Sequence, residues 1–254
     1  MELQSKFPGI SVLRPGDPKG YKKYYKIDGV KMRRVTTILN ATIPKPGLVH
    51  WAKNVSLDKF EVTLLDELEN GEYILTAPSI ANLKEAARNR PDEIKDEAAN
   101  WGTRAHGIIQ NYIDLRMEGF VITDVPDDMA PLLKVFMDFE ESLNIEWLAT
   151  EIVVWDKGVA GSVDAVGLSH SKYLMFDWKT SNGFYPEMAL QLSAYAAMFE
   201  NVYGHKIDQG YVVRFPKEQE TDGDFHVNKV ADLTDGWSRY QSLIRQAGYK
   251  PWSD

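Results

Sequence analysis

The feature that most limits how this chain can fold is a change of hydrophobic period near residue 145. Upstream, apolar residues recur every three or four positions. From Trp147 to Thr180 they come instead in short β-rich runs at 147–155, 159–168 and 172–180, separated by Asp156-Lys157-Gly158 and Ser169-His170-Ser171. Helical periodicity returns over 186–203, strand patterns follow at 210–215 and 225–230, and a helix at 233–247 closes the chain. Strands followed by a helix that returns to the sheet predict an α/β or α+β core, with a central mixed sheet flanked by helices.

The N-terminal part reads differently. Tyr24-Tyr25-Lys26-Ile27 and Val30-Lys31-Met32-Arg33 flank Asp28-Gly29, a pair suited to a two-residue hairpin turn. Short helices are expected up to about residue 90, broken by Pro44, Pro46, Gly71, Pro78 and Pro91. From Asp92, Ile94, Ala98, Trp101, Ala105, Ile108, Tyr112 and Leu115 form a helical stripe, predicting a long core-facing helix that starts after Pro91 and ends near Gly119, then a helix over 129–143. The expected division is therefore an N-terminal hairpin and helical extension over 1–90, dependent on the rest, and a core over 91–254.

The 254 residues carry 29 Lys plus Arg against 37 Asp plus Glu, a net charge of −8. Bulk positive charge cannot be how such a chain holds nucleic acid, although a local basic groove can. The candidate is a local reversal of sign: Lys19, Lys22, Lys23, Lys26, Lys31, Arg33 and Arg34 cluster around the hairpin among Tyr21, Tyr24 and Tyr25, a set that reads equally as a solvated hairpin face. The chain has no cysteine, which removes disulfides, thiol nucleophiles, zinc-thiolate sites and thiolate-bound iron-sulfur clusters. Any metal must be held by oxygen and nitrogen. No apolar run is long enough for a membrane span, and the opening MELQSKFPGI lacks a signal-peptide core, so a cytoplasmic location and no membrane partner are expected.

Each of the three successive strands places a charged residue where periodicity expects a core side chain: Glu151, Asp164 and Asp177. Residues two apart in a strand share a face, so Asp177 and Lys179 project together while Phe176 and Trp178 face the other way. Charges in such apolar runs are costly unless they are paired or hold a cation. Asp164 and Asp177 supply hard oxygen ligands that suit Mg²⁺, and Lys179 could orient an attacking water and offset charge at phosphorus. On the following helix, Gln191 and Tyr195 share a face and could bond phosphate or hold Lys179. His106, one position off the apolar stripe, could complete a mixed oxygen and nitrogen site for Mn²⁺ or Mg²⁺. The same residues admit a structural reading, in which Asp177 and Lys179 are a strand-end ion pair, Tyr195 a core side chain and His106 a capped imidazole.

Taken in order, Gly102 to His106, Glu151, Gly161 to Asp164, Asp177-Trp178-Lys179 and Gln191 to Tyr195 resemble the RecB-type branch of the PD-(D/E)XK nuclease superfamily. That pattern comprises a helix His, a Glu, G-x-x-D, D-x-K and Q-x-x-x-Y, and it is also similar to mitochondrial genome maintenance exonucleases and their viral relatives. The resemblance covers residues 100–200. It implies a restriction-endonuclease-like core and metal-assisted hydrolysis of DNA phosphodiesters that leaves a 5′-phosphate. Residue by residue, it implies that His106, Asp164, Asp177 and the Trp178 carbonyl bind Mg²⁺, with Mn²⁺ also supporting activity. Glu151 would lie beside them as a further catalytic residue, able to serve a second ion, Lys179 would be the catalytic lysine, and Gln191 with Tyr195 the supporting pair. Lys22, Lys23, Arg33 and Arg34 are candidate DNA contacts, since single-strand grooves combine basic and aromatic side chains.

The expected function is a Mg²⁺-dependent exonuclease acting at DNA ends or on single strands in replication, recombination or repair, in a bacterial or virus-encoded setting. Recombination or replication proteins are candidate partners. The alternatives are an endonuclease of the same fold and a nuclease-fold protein that binds DNA or a partner without cutting. The iron-sulfur members of the superfamily are excluded by the missing cysteines, and no phosphate-binding loop of a helicase is present.

Overall fold

A computed structural model of the chain describes residues 11–17, 24–69, 76–215, 225–230 and 232–248. Lys19, Tyr21, Lys22 and Lys23 lie outside the described residues. Among these the elements are β1 (Val12–Leu13), β2 (Tyr24–Ile27), β3 (Val30–Arg34), α1 (Val35–Thr42), α2 (Pro46–Glu69), α3 (Ala77–Met117) and α4 (Ala130–Leu143). Then follow β4 (Glu146–Asp156), β5 (Val159–Ser169), β6 (Lys172–Lys179), α5 (Pro186–Tyr203), β7 (Gln209–Arg214), β8 (His226–Val230) and α6 (Leu233–Gln246). The expected class, a central mixed sheet flanked by helices, is the one observed.

Three tight turns fold the strands back on each other. At Asp28-Gly29, Lys157-Gly158 and His170-Ser171, both central residues have positive φ. That conformation matches the right-handed twist of the strands it joins. One sheet results, in the order β1-β2-β3-β5-β6-β7-β8, with β4 paired to β5. The β3–β5 and β6–β7 pairs are parallel, and the others are antiparallel.

Each face of the sheet has its own core. On one side, Leu192, Tyr195, Met198 and Phe199 of α5 meet Ile152, Val154, Val163, Met175 and Val212, with Val35, Ile38 and Leu39 of α1 and Tyr240 of α6. On the other, Phe136 and Phe139 of α4 meet an aromatic layer: Phe136 lies 6.0 Å from Trp147, Phe139 5.8 Å from Phe176, and Phe176 stacks on Trp178 at 5.3 Å, centroid to centroid. Phe176 and Trp178 thus face away from Asp177 and Lys179, as alternation predicts.

The predicted helix start at Asp92 is corrected. Helix α3 begins at Ala77 and passes through Pro91, which is buried within it. A proline removes one helical hydrogen bond. Here the break is spanned by ion pairs, Arg90 to Glu93 at 3.2 Å and to Glu97 at 3.1 Å, with Lys95 to Asp92 at 2.8 Å beside them. The buried stripe in its C-terminal part is Ala105, Ile109, Tyr112 and Ile113, turned by about one position from the predicted Ile108 and Leu115. The helices before residue 90 are also fewer and longer than expected, because Pro46 and Pro78 sit in first turns, where a missing N–H costs nothing.

Two compact units are present, Met1–Ile43 with Arg104–Asp254, and Pro44–Thr103. The hairpin therefore belongs with the sheet, through Arg33↔Val159 and Arg34↔Ala160, where the expected division at residue 90 grouped it with the helices. The smaller unit holds α2 and the first part of α3. Among the described residues, no helix is long and apolar enough to cross a membrane.

In the larger unit, a buried carboxylate ties α3, α4 and β4 together. Glu140 accepts from Tyr112 Oη at 2.8 Å and Trp147 Nε1 at 2.5 Å, and pairs with Arg116 Nε at 2.9 Å. Burial and this carboxylate push the Tyr112 phenol up to about 12. Glu140→Ala leaves three donors without an acceptor, and should lower unfolding stability by about 3 kcal/mol, read from the urea midpoint at unchanged slope.

Candidate active site

The site is built into a notch in the sheet. Along one edge, β5 pairs with β3 only as far as Ala160 and with β6 only from Ala165↔Phe176 onward, while β4 follows the other edge. Among the described residues, Gly161 to Asp164 therefore have a strand on one side alone. Tyr195 of α5 fills the space beside them, and its ring lies where a side chain at Gly161 would begin. The glycine is required here by close approach.

At the end of the notch the strands slip out of alternation. Glu151, which falls opposite Asp164 between the pairs Thr150↔Ala165 and Ile152↔Val163, has a left-handed backbone with φ 47°. That conformation costs a non-glycine residue about 1–2 kcal/mol. Across the slip, Ala149 and Ile152 face the same core, as do Val163 and Val166, at a spacing of three where a regular strand has two. Thr150 turns to α3, its hydroxyl donating to Asp114 Oδ1 at 2.6 Å.

Asp164 takes the place of the missing strand. Its Oδ2 accepts the Trp178 N–H at 2.7 Å, and its Oδ1 lies 3.7 Å from His106 Nδ1 of α3. On β6, Lys179 Nζ is 2.5 Å from Asp177 Oδ2, with side chains 21% and 4% exposed. From α5, Gln191 Nε2 donates to Asp177 Oδ1 at 3.1 Å and to Tyr195 Oη at 3.3 Å. His106, Asp164, Asp177, Trp178, Lys179, Gln191 and Tyr195 are thus one connected cluster, as their order in the sequence predicts.

Charge in this cluster is unbalanced. Burial pushes the Asp177 carboxyl up to about 6, and the neighbouring Asp164 charge adds to it against the pull of Lys179. Burial acts the same way on Asp164, but His106, Lys179 and the Trp178 N–H outweigh it and hold this carboxyl below its ordinary value. Burial opposes the charged forms of Lys179 and His106, yet the two carboxylates overcome it and raise both.

The donors suit a hard cation. Two carboxylates and one imidazole offer oxygen and nitrogen only, and Asp177 Oδ2 is buried with the Lys179 ammonium as its contact. Among the described residues, no group of three or more His, Asp or Glu side chains is placed to hold a metal ion.

Glu151 adjoins the cluster, but its carboxylate is engaged elsewhere, with Arg14 Nη1 at 3.2 Å and Ser162 Oγ at 2.6 Å. Arg14 carries no signal in the sequence, since it stands alone between turn residues. Ser162 lies inside the Gly161 to Asp164 motif and was legible as a short hydroxyl beside a carboxylate. The hairpin also reaches the site: burial raises the Tyr25 phenol against the nearby charges of Arg34 and Arg14, with Glu151 and Asp164 acting in the opposite sense. Arg33 and Arg34 lie at the end of β3 beside β5.

No family model matches the chain, and no curated protein matches it. Solved structures with partial likeness include the crystal structure of SSO0001, with TM-score 0.28 and 16% identity over 45% of this chain and 55% of that one. Another is an alkaline exonuclease (LHK-Exo) from Laribacter hongkongensis, with TM-score 0.31 and 14% identity over 55% of this chain and 81% of that one.

Gly161→Ala should cost about 1–3 kcal/mol, seen as a lowered thermal midpoint, because the new methyl displaces the Tyr195 ring. Asp177→Asn removes a carboxylate that burial and Asp164 hold up at about 6 even with Lys179 beside it, so its charge opposes folding above that pH, and the variant should raise the midpoint of the metal-free protein at neutral pH.

Proposed function

We propose that this chain is a Mg²⁺-dependent deoxyribonuclease of the PD-(D/E)XK superfamily, of the RecB-type branch, working as an exonuclease on DNA ends or single strands. The observation that carries this reading is the joining of Asp164, Asp177, Lys179, Gln191 and Tyr195 into one buried polar cluster at a notch in the sheet. A purely structural role would need neither the unbalanced charge nor the open edge.

In this reading Asp164 and Asp177 hold the cation, with His106 and the Trp178 carbonyl completing its protein ligands. Bound there, Mg²⁺ or Mn²⁺ supplies Lewis-acid polarisation of the phosphoryl group and a more acidic water. The protein's own groups do the rest. Gln191 fixes the Asp177 carboxylate through Oδ1, leaving Oδ2 toward Lys179. The protonated Lys179 donates from Nζ to the attacking water or a phosphoryl oxygen and offsets negative charge as it builds at phosphorus. The water oxygen bonds phosphorus in line as the P–O3′ bond breaks; the water gives up a proton to solvent and the leaving O3′ takes one from solvent, giving a 5′-phosphate and a 3′-hydroxyl. Lys26, Lys31, Arg33 and Arg34 of the hairpin, with Tyr24, are the described candidates for strand contacts, and Lys22 and Lys23 extend that set. With a net charge of −8, few phosphates can be neutralised, so binding rests on this local patch.

The test is digestion of one labelled DNA, offered as linear single strand, linear duplex and closed circle, with Mg²⁺, Mn²⁺ or EDTA. The expected result is metal-dependent loss of linear DNA alone, reduced at least about a thousandfold in Lys179→Ala while its thermal transition is retained. Cutting of circles makes the protein an endonuclease. Binding without cutting makes it a non-catalytic member of the fold, and undiminished cleavage by Lys179→Ala removes the roles assigned above.

A further inference from the structure

Asp164 reaches the Trp178 N–H beyond the end of the β5–β6 ladder, where β5 departs from alternation. In β4 the residue opposite it is Glu151, with its left-handed backbone; the register of the pair is kept here and shifts only between Trp147 and Ala149. Glutamate is a poor residue for a left-handed backbone, since its Cβ crowds the following carbonyl. Something must hold it there.

That restraint comes from the N-terminal strand. Arg14 Nη2 donates to the Glu151 backbone oxygen at 2.5 Å, and Nη1 to Oε2 of the same residue at 3.2 Å. Ser162, on the neighbouring strand, donates to that same Oε2 at 2.6 Å. Arg14 is itself braced, because its N–H donates to Asp17 Oδ2 at 2.6 Å and β1 pairs with β2 through Val12↔Ile27 and Leu13↔Lys26. One guanidinium thus grips both the main chain and the carboxylate of the residue with the unfavourable φ, directly across the strand pair from Asp164.

We infer that Arg14 is a positioning residue for the active site: by holding Glu151 left-handed it keeps the departure from alternation in β4 and β5 that aims Asp164 at Trp178. Glu151 then serves as the handle that Arg14 grips. The inference rests on the proposed nuclease reading only for its activity readout.

The experiment uses Arg14→Ala, Glu151→Gly and the double variant, and reads two quantities. The first is amide hydrogen exchange at Trp178, which needs neither metal nor DNA. Arg14→Ala should speed it at least about tenfold while exchange in α5 is unchanged, because the Asp164 carboxylate loses its aim. Glycine adopts positive φ without a restraint, so in the Glu151→Gly background Arg14→Ala should have no further effect. The second is cleavage of linear DNA with Mg²⁺, where Arg14→Ala should lower kcat about tenfold or more with little change in KM, and the double variant should recover most of that loss. Arg14→Lys retains the charge but cannot bridge both oxygens, so it should behave like Arg14→Ala.

Unchanged Trp178 exchange in Arg14→Ala overturns the inference. So does an equal Arg14→Ala effect in both backgrounds, or loss of cleavage in Glu151→Gly with Trp178 still protected, which would make the Glu151 carboxylate a direct participant. If the natural chain cuts no DNA, the nuclease reading falls, and the exchange measurements alone decide the role of Arg14.

Discussion

Two carboxylates and one ammonium share a space that water barely enters, and much of the larger unit is arranged to make that tolerable. Asp177 is gripped through one oxygen by Gln191 and faces Lys179 through the other; Asp164 is satisfied by a backbone N–H and an imidazole. The four partners come from three elements, α3, β6 and α5, so the charge cluster can exist only when the two helices and the sheet are assembled together. Two hydrophobic layers supply the force for that assembly: the aliphatic core under α5, and the aromatic layer of Phe136, Phe139, Trp147, Phe176 and Trp178 on the other face. Stability is generated on both sides of the sheet and spent on one spot of it.

The spot is where pairing fails. A continuous β5–β6 ladder would direct the Trp178 N–H to a backbone oxygen and leave Asp164 with no reason to turn inward. Because the ladder begins only at Ala165↔Phe176, a side chain completes the hydrogen bond that a strand would otherwise make. The polar obligation of the backbone is thereby met by a group whose second oxygen stays available. Irregularity in the sheet and chemistry at the site are one feature.

Most of the sheet and α5 were legible from the sequence because their signals are local. Turn residues with positive φ, β-rich runs and a helix bounded by Pro186 and Gly204 depend on neighbours within a few positions. The facing of Asp177 against Trp178, and of Gln191 with Tyr195, followed from period alone. What was not legible depends on distant contacts. Pro91 reads as a helix start, but α3 runs through it, with ion pairs across the break. The stripe of α3 is turned by one residue because packing against α4 and β4, including the Glu140 bonds, selects the face. Arg14 has no local pattern at all: its partner is 137 positions away, and only the folded hairpin brings it to Glu151.

Tyr195 lies against Gly161 so closely that its ring stands where a side chain at 161 would begin. The two positions are therefore inherited as a pair. A side chain at 161 pushes the Tyr195 ring aside, and a smaller residue at 195 gives up the hydroxyl that Gln191 reaches. In an alignment of descendants of this chain, glycine at 161 would mark an intact polar cluster, and its replacement would mark one already dismantled.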